Sequence, residues 1–345
     1  MAGSAWRREI AACVSDPEAL PLSAAVKSRV RRVAARFPMR IPPALLERAA
    51  LSDPRCPIRR QVLPDPRELA PGGALDPLDE ESFLLAPGII RRFEDRLVAR
   101  VSDRCPVLCR HCNRKRFWNT DDDLATREGL ARALSCAPEV REVILSGGEP
   151  LMLADRSLDA WLEAARSRAG VEVLRVHTRA PAALPARLTP GLARTLARHR
   201  PLWVVTQFNH ALEITDSARR GIARLLAAGI PVLNQAVLLR GVNDSVSAQA
   251  QLGRGLVAAG IKPHYLFQLD RVTGALHFQV PVRRSLAIAA GLRARCSGLV
   301  VPHLLADLPS TGGKVPLNPD AVLGFVEGGV MLRGADGRDY LYPGP

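Results

Sequence analysis

The chain has 345 residues, 47% of them hydrophobic, and a formal net charge of +14 at pH 7. That is enough for one large α/β domain with extensions and a sizeable core, and no apolar run approaches the roughly 18 residues of a membrane span. Seven cysteines, at 13, 56, 105, 109, 112, 136 and 296, form an odd and scattered set that argues against a disulfide framework.

The N-terminal "MAGSAWRREIAACVSDPEAL" has early acids and no apolar signal-peptide core, which predicts a cytoplasmic protein. Residues 1–90 read as a helical and proline-rich region: "PPALLERAAL" is amphipathic, and "VLPDPRELAPGGALDPLDEE" is turn and loop. Short apolar runs then recur at 96–102, 142–147, 171–178, 202–208, 231–239 and 264–269. Helix-like segments such as "SLDAWLEAARSRAG" and "DSARRGIARLLAAG" lie between them. Strand alternating with helix predicts a parallel sheet with right-handed crossovers over 91–290, and 291–345 follows as a C-terminal segment. In barrel-like versions of such a sheet the site lies at the C-terminal ends of the strands. The cysteine loop follows the first strand, "SGGEP" the second, "HTRAP" the third and "QFNH" the fourth, and "QLD" closes the sixth.

The charge carries information of its own. Only four of the 48 basic residues are lysines: Lys27, Lys115, Lys262 and Lys314. A chain built on arginine uses lysine where a deprotonatable amine or a Schiff base is needed. Lys314, in "STGGKVP", is flanked by glycines that leave its stem unobstructed. The arginines are dispersed, with no basic tail or aromatic stripe, so a nucleic-acid face is not expected.

"DRCPVLCRHCNRKRF" holds Cys105, Cys109 and Cys112 in a C-x3-C-x2-C spacing. A structural zinc site takes four ligands, and His111 or a distant group would have to complete one here. Three thiolates instead suit a 4Fe–4S cluster whose fourth iron stays open to chelate a small molecule. On that loop the spacing resembles the signature of the radical S-adenosylmethionine superfamily, and Ser146, Gly147, Gly148 and Glu149 of "SGGEP" resemble its glycine-rich segment. "CRHCNRKRF", "LSGGEPLM", "RVHTRAPAALPARLTP", "FNHALEIT", "NQAVLLRGVND", "LFQLDRVTGALHF" and "ADLPSTGGKVPLNP" are similar, in order, to blocks of the lysine 2,3-aminomutase family.

The resemblance implies a partial (β/α)6 TIM-like barrel of the radical type, with an N-terminal helical extension and a C-terminal segment closing the site. It implies an isomerase that moves an amino group from Cα to Cβ with a 4Fe–4S cluster, S-adenosylmethionine and pyridoxal 5′-phosphate. By position, Lys314 would form the imine with pyridoxal phosphate, and Arg92 and Arg96 would cradle its phosphate. Ser146, Gly147, Gly148, Glu149, Arg179 and Gln235 would lie at S-adenosylmethionine. Arg114 would clamp the substrate α-carboxylate, Asp270 and Asp307 would hold a distal ammonium, and His111 would not be a ligand. L-lysine is the expected substrate, with arginine, another basic amino acid or a lysine destined for elongation factor P as alternatives. A radical enzyme acting on RNA without pyridoxal phosphate, and a zinc- or cluster-holding sensory protein, are the readings from other classes. The expected partners are a small amino acid, a reducing donor of the flavodoxin or ferredoxin type and a second copy of the chain, with no membrane.

Three positions depart from the family pattern. Gln207 stands where histidine is usual, and Phe267 stands for tyrosine. Ser245 stands where family members with a zinc-binding tail carry cysteine, so no zinc is expected.

Overall fold

The computed structural model describes residues 5–118, 124–318, 321–327, 329–334 and 337–343. The N-terminal extension holds α1 (Ala5–Ala11), α2 (Ala24–Ala34), α3 (Pro43–Leu46) and α4 (Pro57–Val62). Proline at the start of α3 and α4 fixes φ where no intrahelical N–H bond is lost. In α2, "AAVKSRVRRVA", Val30 and Val33 are buried. Val30 joins Leu20, Ile41, Leu45, Ile58 and Val62 in a small core that closes around Val107, between Cys105 and Cys109. The extension therefore supports the cysteine loop from below.

Two short strands, β1 (Leu84–Ala86) and β2 (Ile89–Phe93), lead into the repeating part. There follow β3 (Arg96–Ser102), α5 (Arg127–Cys136), β4 (Glu142–Gly147), α6 (Asp155–Ala165) and β5 (Val173–Thr178). Next come α7 (Ala180–Ala183), α8 (Pro190–Ala197), β6 (Leu202–Thr206), α9 (Asp216–Ala227) and β7 (Val232–Leu238). The series ends with α10 (Val246–Ala258), β8 (Lys262–Gln268), α11 (Val282–Arg295), β9 (His303–Leu308) and β10 (Gly313–Pro316). Strands β1 to β10 form one sheet in chain order; β3 to β9 are parallel, and antiparallel β1–β2 and β10 flank them. This is the partial (β/α)6 barrel, with β9 as an added parallel strand. Central strands read as continuous apolar runs because helices cover their outer face: Val143, Leu145, Leu174, Val176, Val204 and Leu238 are all fully buried.

The expected runs at 96–102 and 142–147 are β3 and β4 to the residue. The division of the chain needs correction. Position 90 lies inside β2, which pairs with β3, and position 291 lies inside α11. The barrel sheet thus begins before residue 91 and continues through β9 and β10. A separate meander, β11 (Val322–Val326), β12 (Gly329–Arg333) and β13 (Asp339–Pro343), follows it.

Candidate active site

A cavity of about 430 Å³ opens at the C-terminal ends of the parallel strands. Cys105, Cys109, Cys112, Arg114, Gly147, Gly148, Gln235, Asp270, Asp307 and Lys314 all line it, as do Arg92, Arg96, Ser146, Glu149 and Arg179. Every residue given a site role from the sequence therefore reaches one space, although the outermost, Arg92 and Lys314, stand 222 positions apart in the chain.

The three cysteines are free thiols on the loop after β3. Burial, reinforced by the neighbouring cysteines, pushes the Cys105 thiol well up, and burial with Cys109 pushes Cys112 up to about 11. The loop is held from the extension: Leu108 N donates to Arg40 O at 3.1 Å, and Arg110 N donates to Gln61 O at 2.9 Å. The Arg110 side chain is wholly buried and donates to Glu68 at 2.9 and 2.6 Å and to the carbonyls of Phe37 and Pro38. Lys115 Nζ donates to the same Glu68 at 2.8 Å and to Gly274 O at 2.7 Å. A buried acid with two cations thus fixes the loop that carries the thiols.

Arg179 lies under Cys109, with Nη1 2.8 Å from its Sγ and Nη2 donating to Gln61 and Glu213. His111 Nε2 is met by three nitrogen donors, Arg179, Gln207 and Asn209, at 3.2–3.3 Å. Gln207 thus supplies an amide donor to His111.

The glycines after β4 allow backbone to touch backbone. A Cβ on Gly147, whose φ is +119°, would lie 2.5 Å from Ser102 O, and one on Gly148 would lie 2.6 Å from Arg104 O. Only glycine lets the end of β4 rest on the start of the cysteine loop. Glu149 is buried and accepts from Thr178 Oγ1 at 2.7 Å and from the backbone N–H groups of Leu151, Arg179 and Ala180. Burial still raises its pKa against those donors. Its carboxylate ties the β4 loop to the β5 loop, a job the sequence pattern did not reveal. Gln235 Nε2 lies 3.2 Å from Nδ1 of His177, whose imidazole burial holds at about 3, that is, neutral.

Lys314 and Asp307 are partners across the β9–β10 hairpin, with Nζ 3.2 Å from Oδ2. Burial lowers the Lys314 pKa, and Asp307 offsets part of that. The ammonium also sits 4.9 Å from the Phe93 ring centre and 6.0 Å from that of Phe267. Arg92 donates to Asp307 Oδ1 at 2.7 Å, to Ser310 O at 3.0 Å and to Leu308 O. It closes the gap between the two ends of the sheet. Arg96 stacks on Phe93 at 3.8 Å and donates to Asp95 at 2.8 Å. Asp270 accepts from Asn113 Nδ2 at 2.9 Å. Burial, then the nearby Asp307 carboxylate, pushes its pKa up to about 7.

Arg114 donates through Nε and Nη2 to the two oxygens of Glu80 at 3.0 and 2.6 Å and through Nη1 to Ser146 Oγ at 3.2 Å. Burial pushes the Glu80 carboxyl up, but Arg114 and Arg116 outweigh it and hold it at about 2. Glu80 and Glu68 come from the proline-rich stretch after α4, and Gln61 from α4 itself.

The sequence pattern of the Radical SAM superfamily matches residues 100–247. L-lysine 2,3-aminomutase of Fusobacterium nucleatum subsp. nucleatum is 38% identical over 312 residues, covering 89% of this chain and 73% of that protein. L-lysine 2,3-aminomutase of Clostridium subterminale is 36% identical over 99% of this chain and 84% of its own length. That of Escherichia coli strain K12 is 34% identical over 91% and 94%. The chain belongs to the lysine 2,3-aminomutase family. Membership makes it an isomerase of the radical S-adenosylmethionine superfamily, working with a 4Fe–4S cluster, S-adenosylmethionine and pyridoxal 5′-phosphate.

The residues present suit those groups. Among the described residues, no three His, Cys, Asp or Glu side chains converge as ligands of a single ion. A cubane takes its thiolates on separate irons, and three free thiols around one cavity fit that arrangement. Lys314, with its lowered pKa, fits an imine-forming amine, and the paired arginines at the same mouth fit a phosphate. No helix among the described residues is long and apolar enough to cross a membrane.

Proposed function

We propose that the protein interconverts L-lysine and L-β-lysine. The observation that carries this reading is the single cavity lined by three thiols and a Schiff-base-competent lysine, with Arg114, Asp270 and Asp307 among its charged residues. A zwitterionic amino acid with a cationic side chain matches that set of charges.

In this reading Cys105, Cys109 and Cys112 hold the cluster, and Ser146, Gly147, Gly148, Glu149, Arg179 and Gln235 form the S-adenosylmethionine side. Lys314 binds pyridoxal phosphate, with Arg92 and Arg96 at its phosphate. When bound, these groups would supply hydrogen abstraction from a substrate carbon and a carbonyl carbon able to take up the substrate's amino nitrogen. The protein's share is placement. Arg114 fixes the α-carboxylate by charge-assisted hydrogen bonds. Asp270 and Asp307 hold the distal ammonium, whose arrival favours ionisation of Asp270 because an opposite charge lowers a raised carboxylate pKa. Burial of the Lys314 amine favours the neutral form that can attack a carbonyl carbon. The hydrophobic walls, Ile90, Val98, Ile144 and Phe267 among them, exclude water from the reacting carbons. A flavodoxin- or ferredoxin-type donor supplies the electron, and the assembly is a homo-oligomer in the cytoplasm.

The test is incubation of anaerobically reconstituted, reduced protein with L-lysine, L-arginine and L-glutamate, with β-isomers resolved by chromatography and mass spectrometry. β-Lysine is the expected product. A β-isomer from glutamate with none from lysine would overturn the roles of Asp270 and Asp307.

A further inference from the structure

The carboxylate clamp has a second component. A guanidinium carries five N–H donors in a planar fork. In Arg114 the Nε and Nη2 edge is taken by Glu80, at 3.0 and 2.6 Å, and Nη1 reaches Ser146 Oγ at 3.2 Å. Two N–H groups remain, one on each terminal nitrogen, so a carboxylate can be met from both. We propose that Glu80 is the positioning residue of this clamp: it turns the Arg114 fork so that the Nη1/Nη2 edge alone faces the α-carboxylate of the substrate. The proposal rests on Arg114 binding that carboxylate.

Glu80 is itself held against rotation. Arg116 donates to Glu80 Oε2 at 3.2 Å and pairs with Asp76 Oδ1 at 3.3 Å. The side chains of Glu80 and Arg114 are 10% and 18% exposed, so water competes little for either. The preceding residue, Asp79, has a left-handed φ of 56° and accepts from Ser82 Oγ at 2.6 Å and Ser310 Oγ at 2.7 Å. The segment that aims Arg114 is thereby tied to the turn leading into Lys314. One short stretch of the extension registers the carboxylate end of the substrate against the imine-forming lysine.

The experiment uses the reconstituted holoenzyme and compares equilibrium binding of L-lysine and L-lysinamide by titration calorimetry, alongside kcat and KM. Wild type is expected to prefer the carboxylate. Glu80→Gln keeps iron and pyridoxal phosphate content but narrows that preference by about tenfold or more and raises KM more than it lowers kcat, because a misdirected fork loses the bidentate geometry. Glu80→Asp keeps the charge but sets the fork back by one methylene. It is expected to lie between the two and is the variant to read if Glu80→Gln does not fold. An undiminished preference in the Glu80 variants overturns the positioning role. An undiminished preference in Arg114→Ala overturns the reading of Arg114 instead, so the two failures are distinguishable.

Discussion

Asp307 and Lys314 face each other across a two-stranded hairpin, carboxylate to ammonium at 3.2 Å, while Arg92 grips the other oxygen of the same carboxylate at 2.7 Å. Before any substrate arrives, the acid expected to bind a distal ammonium already holds an ammonium of the protein's own. The hairpin thus keeps Lys314, proposed to bind pyridoxal phosphate, and Asp307, proposed to hold the substrate ammonium, in one ion network. Exchange of one amine for another at Asp307 needs no new charge in the cavity.

Loss of that carboxylate should change how the lysine titrates. Asp307 supports the protonated form of Lys314 against burial. Asp307→Asn is therefore expected to move the pH midpoint of pyridoxal phosphate capture downward, by about one unit or more. Absorbance titration across pH reads this directly. Lys314→Ala should abolish both capture and turnover, and Lys314→Arg should do no better, since a guanidinium cannot form the imine. An unmoved midpoint in Asp307→Asn would remove the ion pair from the account of the lysine.

Asp270 makes stability depend on pH with a defined sign. Its folded pKa is about 7 against an ordinary 3.8, so between those values the folded protein keeps a proton that the unfolded chain has released. Stability then falls as pH rises from about 4 to 7 and levels off above. Asp270→Asn should stabilise the cofactor-free protein by on the order of 3 kcal/mol at pH 8 and by little at pH 4. Thermal melts of both proteins across that range test it. The same variant should bind L-lysine more weakly. A variant uniformly more stable at every pH would mean that packing, not charge, explains the change.

The Glu68–Arg110–Lys115 triad predicts a large loss. All three side chains are essentially without solvent exposure. Glu68→Gln leaves two buried cations short of a counter-charge, which costs about 3–5 kcal/mol. Because Arg110 and Lys115 belong to the cysteine loop, the variant should also take up less iron per chain. Denaturant unfolding and iron analysis measure the two effects. A loss of stability with full iron uptake would confine the triad to holding the extension.

Gly147→Ala sets a Cβ against Ser102 O at a backbone conformation that L-residues avoid. The expected cost is about 1–3 kcal/mol, with cluster reconstitution weakened because the displaced backbone carries the cysteine loop. Ser146→Ala, next to it, should reconstitute normally. Iron content and melting temperature of the two variants side by side decide the point.

Much of this was legible in the chain. The six strands follow from apolar runs bounded by turn residues, and the strand-end positions of Cys105, Gly147, Arg179 and Asp270 follow from that frame. β2, β9 and β10 were harder to see because their strands are short or half exposed, and β2 alternates little. The roles of Glu80, Glu68 and Gln61 were not legible at all. Acids in a proline-rich loop and one amide in a six-residue helix carry no periodicity, and their partners lie 34 to 148 residues away. Arg92 shows the same limit. Its place at the cavity was anticipated, but its bond to Asp307 depends on a curvature of the sheet that local sequence does not encode.

The link between Asp79 and Ser310 spans 231 residues. A ribosome adding about 5–20 residues per second leaves Asp79 waiting roughly 10 to 50 s for its partner. For most of that interval the thiol loop exists without the lysine hairpin over it. A nascent chain can therefore present its three thiols while the mouth is still open, before the hairpin that carries Lys314 is made.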